Sequence, residues 1–212
     1  MNPWKVRADL VAAARELPAR GLTAGTSGNV SVRDGSGMII TPSGVPYGAM
    51  SASDIVQVDA KGRVISGHLA PSSEWRLHLG LYQARPEVGA IVHAHPRYAT
   101  ALACTGRDMP AFHYMVAIGG GDSIRCAPYT PFGTEELAQV AAQALAERRA
   151  CLLANHGAVA LGATLPGALD LMTEIEELAA QYVTALQIGN VALLSREDMA
   201  EALARFKNYG QG

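Results

Sequence analysis

The triplet His93-Ala94-His95 closes a short apolar run, Val88-Gly89-Ala90-Ile91-Val92. A β-strand alternates its side chains with period two, so both imidazoles project from one face. Two imidazoles side by side on a rigid strand form half of a transition-metal site. Alone, the pair also fits two half-buried histidines that meet hydrogen-bond partners. A third histidine, His156, follows the apolar run Cys151-Leu152-Leu153-Ala154, inside Asn155-His156-Gly157. The glycine beside it lets backbone and substrate approach closely. Three histidines with one open position describe a catalytic zinc site rather than a closed structural one. His68, His78 and His113 have no such context and read as surface or packing residues.

Glu74 is the carboxylate of interest, in Pro71-Ser72-Ser73-Glu74-Trp75. An acid at a helix start complements the helix dipole, and the same placement can hold an acid/base beside a metal. Three small polar loops offer hydroxyls and backbone N–H groups for an oxyanion: Thr26-Ser27-Gly28-Asn29, Thr41-Pro42-Ser43-Gly44, and Ser72-Ser73. Each alone is also an ordinary turn sequence. No GxxxxGK[ST] motif and no strand–GxGxxG–helix unit occurs, so nucleotide binding lacks support.

The elements that must position these groups follow from punctuation and periodicity. Residues 5–18 read as an amphipathic helix stopped by Pro18 and Gly21. Val30–Val32 and Met38–Thr41 read as strands of a hairpin, as do Ile55–Val58 and Arg63–Ile65. Ser72 or Ser73 is expected to cap a helix running to about Ala84, ended by Pro86. A short helix over 96–104 follows the histidine strand. Gly119-Gly120-Gly121 then leads to further short strands. A helix over 134–148 precedes strands at 151–154 and 158–161, and two helices, 166–188 and 196–207, complete the order. In the first of these, Leu169, Met172, Ile175, Leu178, Tyr182 and Leu186 form a stripe expected to be core. The fold class expected is α/β, three-layer α/β/α with a central, largely antiparallel sheet, in a single domain over 1–212.

With 212 residues, 49% hydrophobic and 17% charged, the chain has the composition of an ordinary globular protein. A net charge of −2 gives no case for nucleic acid or an anionic membrane as partner. Cys104, Cys126 and Cys151 are odd in number and lack CxxC spacing, which suits reduced thiols in the cytoplasm. The first ten residues carry charges where a signal peptide needs an apolar stretch. No run of about 18 apolar residues occurs, so no spanning helix is expected.

Taken together, the segments resemble the class II aldolase/adducin family, and within it the fuculose-phosphate aldolase branch. The resemblance runs in order through Gly25-Thr26-Ser27-Gly28-Asn29-Val30-Ser31, Thr41-Pro42-Ser43-Gly44, Ser72-Ser73-Glu74 and His93-Ala94-His95. It continues through Phe112-His113-Tyr114-Met115, Cys126-Ala127-Pro128-Tyr129, Phe132-Gly133-Thr134, Asn155-His156-Gly157 and Phe206-Lys207-Asn208-Tyr209-Gly210. It implies His93, His95 and His156 as zinc ligands, with Mn²⁺ or Co²⁺ as other ions of the same site. Glu74 is implied as an acid/base that can also ligate the metal. Asn29, Ser43, Gly44, Ser72 and Ser73 are implied as phosphate-site positions, with Gly28 shaping that loop. Tyr114 would handle the leaving aldehyde oxygen, and Phe132 and Tyr209 would reach the site from a neighbouring subunit of a homotetramer. Asn155 departs from the fuculose-phosphate aldolase branch, where the resemblance implies histidine beside the ligand.

The activity implied is reversible cleavage of a ketose 1-phosphate to dihydroxyacetone phosphate and an aldehyde. L-Fuculose 1-phosphate, 5-deoxyribulose 1-phosphate and 5-methylthioribulose 1-phosphate are the candidate substrates. The family also holds methylthioribulose-1-phosphate dehydratases, sugar-phosphate 4-epimerases, which typically carry aspartate where Glu74 stands, and metal-free adducin-type interaction modules.

Overall fold

The computed structural model describes residues 3–208. Tyr209 lies outside them. Helix α1 (Pro3–Ala19) buries Leu10, Ala14 and Leu17 at helical spacing and gives way to Gly21, whose φ is +72°. The first hairpin pairs β1 (Asn29–Asp34) with β2 (Gly37–Ile40) across Gly35-Ser36. Gly35 has a φ of +57°, the left-handed conformation that such tight turns require. The second hairpin pairs β3 (Val56–Val58) with β4 (Val64–Ser66).

Helix α2 (Trp75–Ala84) leads into β5 (Ala90–Ala94), and α3 (Arg97–Ala103) follows. A 3₁₀ turn over Tyr114–Gly119 ends at Gly120 with a φ of +90°. Beyond it come β6 (Arg125–Ala127), α4 (Glu135–Ala144), β7 (Ala150–Leu153), β8 (Gly157–Gly162), α5 (Leu165–Ile188) and α6 (Arg196–Asn208).

The eight strands form one sheet in the order β4-β3-β2-β1-β5-β8-β7-β6. Every neighbouring pair is antiparallel except β6 with β7. Strand alternation divides the core in two. Val30, Val92, Ala94, Leu152, Ala158 and Ala160 face α1, α3, α5 and α6. Met38, Ile40, Ile91, Cys151, Leu153, Val159 and Leu161 face α2 and α4. This is the expected three-layer α/β/α arrangement. Each fully buried large aliphatic contributes about 1.5–3 kcal/mol, so β5 and β8 are held firmly in the middle of the sheet.

Three expectations of element detail are corrected. Neither Ser72 nor Ser73 caps α2: the residue preceding its first turn is Glu74. Ser72 instead spends its hydroxyl on the Glu74 backbone N–H (3.3 Å), within a turn closed by Trp75 N–H on Ser72 O. Helix α4 stops at Ala144 because the chain turns through Glu147 at a φ of +60°. The α5 stripe is buried from Leu169 to Leu178 but Leu186 is exposed. At 24 residues, α5 is about 36 Å long and outruns the sheet beneath it.

Candidate metal and anion site

His93 is the penultimate residue of β5, and His95 follows the strand by one residue. Both side chains leave on the α2 side, as period two requires. His156 sits in the tight connection between β7 and β8, the neighbour of β5, with Asn155 at a φ of +56°. Gly157 is the reason the three can meet. A Cβ there would fall 2.4 Å from Ala94 O and 2.7 Å from the His95 ring. Glu74 arrives from the opposite layer, at the start of α2.

One nitrogen or oxygen from each of Glu74, His93, His95 and His156 lies within 4.8 Å of all the others. His93 Nε2 is 3.0 Å from His95 Nε2 and 2.7 Å from Glu74 Oε2, while Glu74 Oε1 stands 3.4 Å from His156 Nε2. His93 Nδ1 is 3.0 Å from Ala158 O. A carbonyl only accepts, so Nδ1 carries a proton and Nε2 is the ring atom that faces the cluster. Burial and then the neighbouring imidazoles push His95 and His156 down to about 4, leaving them neutral at pH 7. Burial opposes charge on Glu74, but His93 at hydrogen-bond distance, with His156 and His78 behind it, holds the carboxyl below its usual range.

These groups fit a cation. Neutral imidazoles, as at His95 and His156, and an ionised carboxylate, as at Glu74, are the protonation states a metal takes. Glu74 Oε1 is buried without a hydrogen-bond partner, a cost that a metal bond would relieve. Ligands around a tetrahedral ion stand about 3.3 Å apart, so the observed spacing is close to that needed.

Glu74, His95 and His156 of the cluster line a cavity of about 440 Å³. All of the sequence-derived anion residues line it: Gly28, Asn29, Ser43, Gly44, Ser72 and Ser73. Their loops are tied to one another, through Ser43 N–H on Ala70 O and Ser72 N–H on Thr41 O, both 3.0 Å. Gly28, at a φ of +96°, brings its loop against β5, where a Cβ would meet His93 O at 2.8 Å. No lysine or arginine lines this cavity among the described residues. An anion held by these loops meets hydroxyls, an amide and backbone N–H groups.

Phe132 lines the same cavity in its own chain and is 69% exposed. Tyr114 does not reach it: its ring stacks on His113, is half exposed and lines a second cavity beside Phe206. Asn155 lines the first cavity next to His156.

Two supporting residues escape a reading of the sequence alone. The Tyr47 hydroxyl lies 2.8 Å from both Ser27 O and Gly28 O and so braces the Gly28 loop. His78, read from sequence as a surface or packing residue, is fully buried and joined to Asn29. Its signal was the four-residue spacing of Glu74, His78 and Tyr82, which stacks them on one face of α2.

An α/β/α sandwich with a His₃Glu cluster beside a pocket of neutral hydrogen-bond donors defines a metal-competent centre that can also take an anion. The chain belongs to the family described as Class II Aldolase and Adducin N-terminal domain, whose profile matches residues 8–183. It is 48% identical over 205 residues to a 5-methylthioribulose-1-phosphate/5-deoxyribulose-1-phosphate aldolase of Rhodospirillum rubrum, covering 97% of this chain and 92% of that one. It is 46% identical over 211 residues to the L-fuculose phosphate aldolase of Escherichia coli K12, covering 99% and 98%. A solved structure of an L-fuculose 1-phosphate aldolase superposes with a TM-score of 0.92 at 43% identity, covering 96% of each chain. The aldolase class is thereby supported along nearly the whole chain. Among the described residues no helix is long and apolar enough to cross a membrane.

Proposed function

We propose that this protein reversibly cleaves a ketose 1-phosphate to dihydroxyacetone phosphate and an aldehyde, as a metal-dependent aldolase of one domain. The observation that carries this reading is the meeting of Glu74 and three histidines beside a cavity that neutral anion donors also line. His93, His95 and His156 would hold a zinc ion, with Glu74 as a fourth ligand; Mn²⁺ and Co²⁺ suit the same donors less well. When bound, that ion supplies Lewis-acid polarisation of the substrate's oxygens and stabilises the negative charge left as the carbon–carbon bond breaks.

The remaining work falls to the chain's own residues. Asn29, Ser43, Gly44, Ser72 and Ser73 hold the phosphate, with Gly28 providing the loop geometry. That fixes the three-carbon half whatever the aldehyde. Glu74, ionised and aimed into the cluster, transfers the proton at C3 of that half. Phe132 flanks the aldehyde half. Tyr114 lies away from the cavity of its own chain, so in the homotetramer we propose it serves the site of an adjoining copy and stabilises the aldehyde oxygen. Tyr209, outside the described residues, is assigned by resemblance to the same subunit boundary. The three free cysteines suit a cytoplasmic protein.

The aldehyde half is tested by kcat/KM for L-fuculose, 5-deoxyribulose and 5-methylthioribulose 1-phosphates, with triose phosphate as the detected product. Release from at least one of them is the expected result. Consumption of all three without triose phosphate would replace the aldolase reading with dehydration or epimerisation.

A further inference from the structure

Asn29 opens β1 directly opposite His93 of β5, and Ser31 follows two residues later opposite Ile91. Period two places Asn29 and Ser31 on the face covered by α2. From that helix, His78 and Tyr82 reach down to them. His78 Nε2 is 2.5 Å from Asn29 Oδ1, and His78 Nδ1 is 2.7 Å from Ser31 Oγ. Ser31 Oγ is in turn 2.9 Å from the Tyr82 hydroxyl. His78 and Ser31 have no exposed surface, and Tyr82 and Asn29 have almost none. None of the three supporting residues lines the cavity; Asn29 does.

The chain has a direction. An amide oxygen only accepts, so His78 Nε2 donates to Asn29 Oδ1. His78 Nδ1 then accepts from the Ser31 hydroxyl, and Ser31 Oγ accepts from Tyr82. Burial, with His93 nearby, pushes the His78 imidazole down to about 3, so it carries one proton rather than two. With Oδ1 engaged beneath, the Asn29 amide has only its two N–H groups left for the cavity. In a pocket without lysine or arginine, an amide turned the other way would present a carbonyl oxygen to an anion.

We propose that the buried chain Tyr82–Ser31–His78 fixes the orientation of the Asn29 amide, making His78 a positioning residue for the phosphate of the substrate. This rests on the phosphate role given to Asn29 above.

The test is calorimetric titration of metal-loaded protein with inorganic phosphate, paired with KM and kcat for the best ketose 1-phosphate. Weaker phosphate binding in Asn29→Ala than in the unaltered protein establishes the phosphate role of Asn29. Equal binding removes that role and this inference with it. Given the first result, His78→Phe should weaken phosphate binding and raise KM by roughly tenfold each, with kcat much less affected. His78→Gln, whose amide can donate to Asn29 and accept from Ser31, should restore most of the loss. In an Asn29→Ala background, His78→Phe should add nothing. Unchanged phosphate binding in His78→Phe, or an equal loss in both backgrounds, would overturn the proposal while leaving the aldolase reading intact. If His78→Phe fails to fold, ¹⁵N NMR of the unaltered protein decides. A His78 ring protonated at Nε2 and bare at Nδ1 is expected, and the opposite tautomer would overturn the proposal.

Discussion

Glu74 Oε2 lies 2.7 Å from His93 Nε2, joining the α2 layer to the sheet. The carboxylate comes from the start of α2 and the imidazole from the centre of the sheet. Neither residue is free to swing, since both are buried and His93 is pinned through Nδ1 to Ala158 O. Under the proposed function, a carboxylate held this close to three imidazoles, with an oxygen left without a hydrogen bond, serves both to ligate the metal and to move a proton.

Glu74→Gln keeps the shape and removes the charge. Turnover is expected to fall by about 10²–10⁴, the usual contribution of a positioned acid/base. Phosphate binding, which rests on the serine and asparagine loops, is expected to persist. Steady-state kinetics and phosphate titration on the same preparation check this; full turnover in the variant would remove Glu74 from the chemistry.

Gly157→Ala would drive a methyl group into Ala94 O and the His95 ring. The backbone between His156 and β5 must then part, which separates the ligands. Metal affinity is expected to drop at least about tenfold, as for other displacements around metal ligands. Competition with a chromogenic chelator measures it, and unchanged affinity would show that the cluster tolerates the displacement.

Tyr47→Phe removes the hydroxyl that braces Ser27 O and Gly28 O. A stability loss of about 0.5–1.5 kcal/mol is expected from the lost hydrogen bond, together with a raised KM. Denaturant unfolding and substrate kinetics read the two effects separately. A variant changed in kcat alone would contradict a role in loop bracing.

The buried His78 sets a pH dependence of stability. Its imidazole titrates near 6.5 when unfolded and near 3 when folded, burial being the main cause, with His93 lowering and Glu74 raising it. Between those values the unfolded state binds the extra proton, so stability falls as pH drops below about 6.5. From pH 6.5 to 5 this contributes roughly 2 kcal/mol. Metal-free protein and its His78→Phe variant, unfolded in urea across that range, should therefore differ in slope. Parallel curves would mean that His78 titrates normally in the folded chain.

Much of this site is legible along the chain because its groups obey local periods. His93 and His95 share a strand face, and His156 with Gly157 marks a strand junction. The hairpins are legible from their glycine turns. The start of α2 is not, because Ser72 can satisfy either a helix or the turn before it, and only its contact with the Glu74 N–H decides. His78 is hidden for a different reason. Its partners Asn29 and Ser31 lie 49 and 47 residues away, and only the packing of α2 on β1 brings them together. The placement of Tyr114 in a separate cavity likewise depends on how the 3₁₀ turn packs beside α6.

The central claim is metal-dependent carbon–carbon cleavage at this cluster. Its most direct measurement is dihydroxyacetone phosphate release, followed by coupled NADH oxidation, from the three ketose 1-phosphates before and after chelation. Release that chelator abolishes and added Zn²⁺ restores is the expected result. Release that survives complete removal of metal would contradict it.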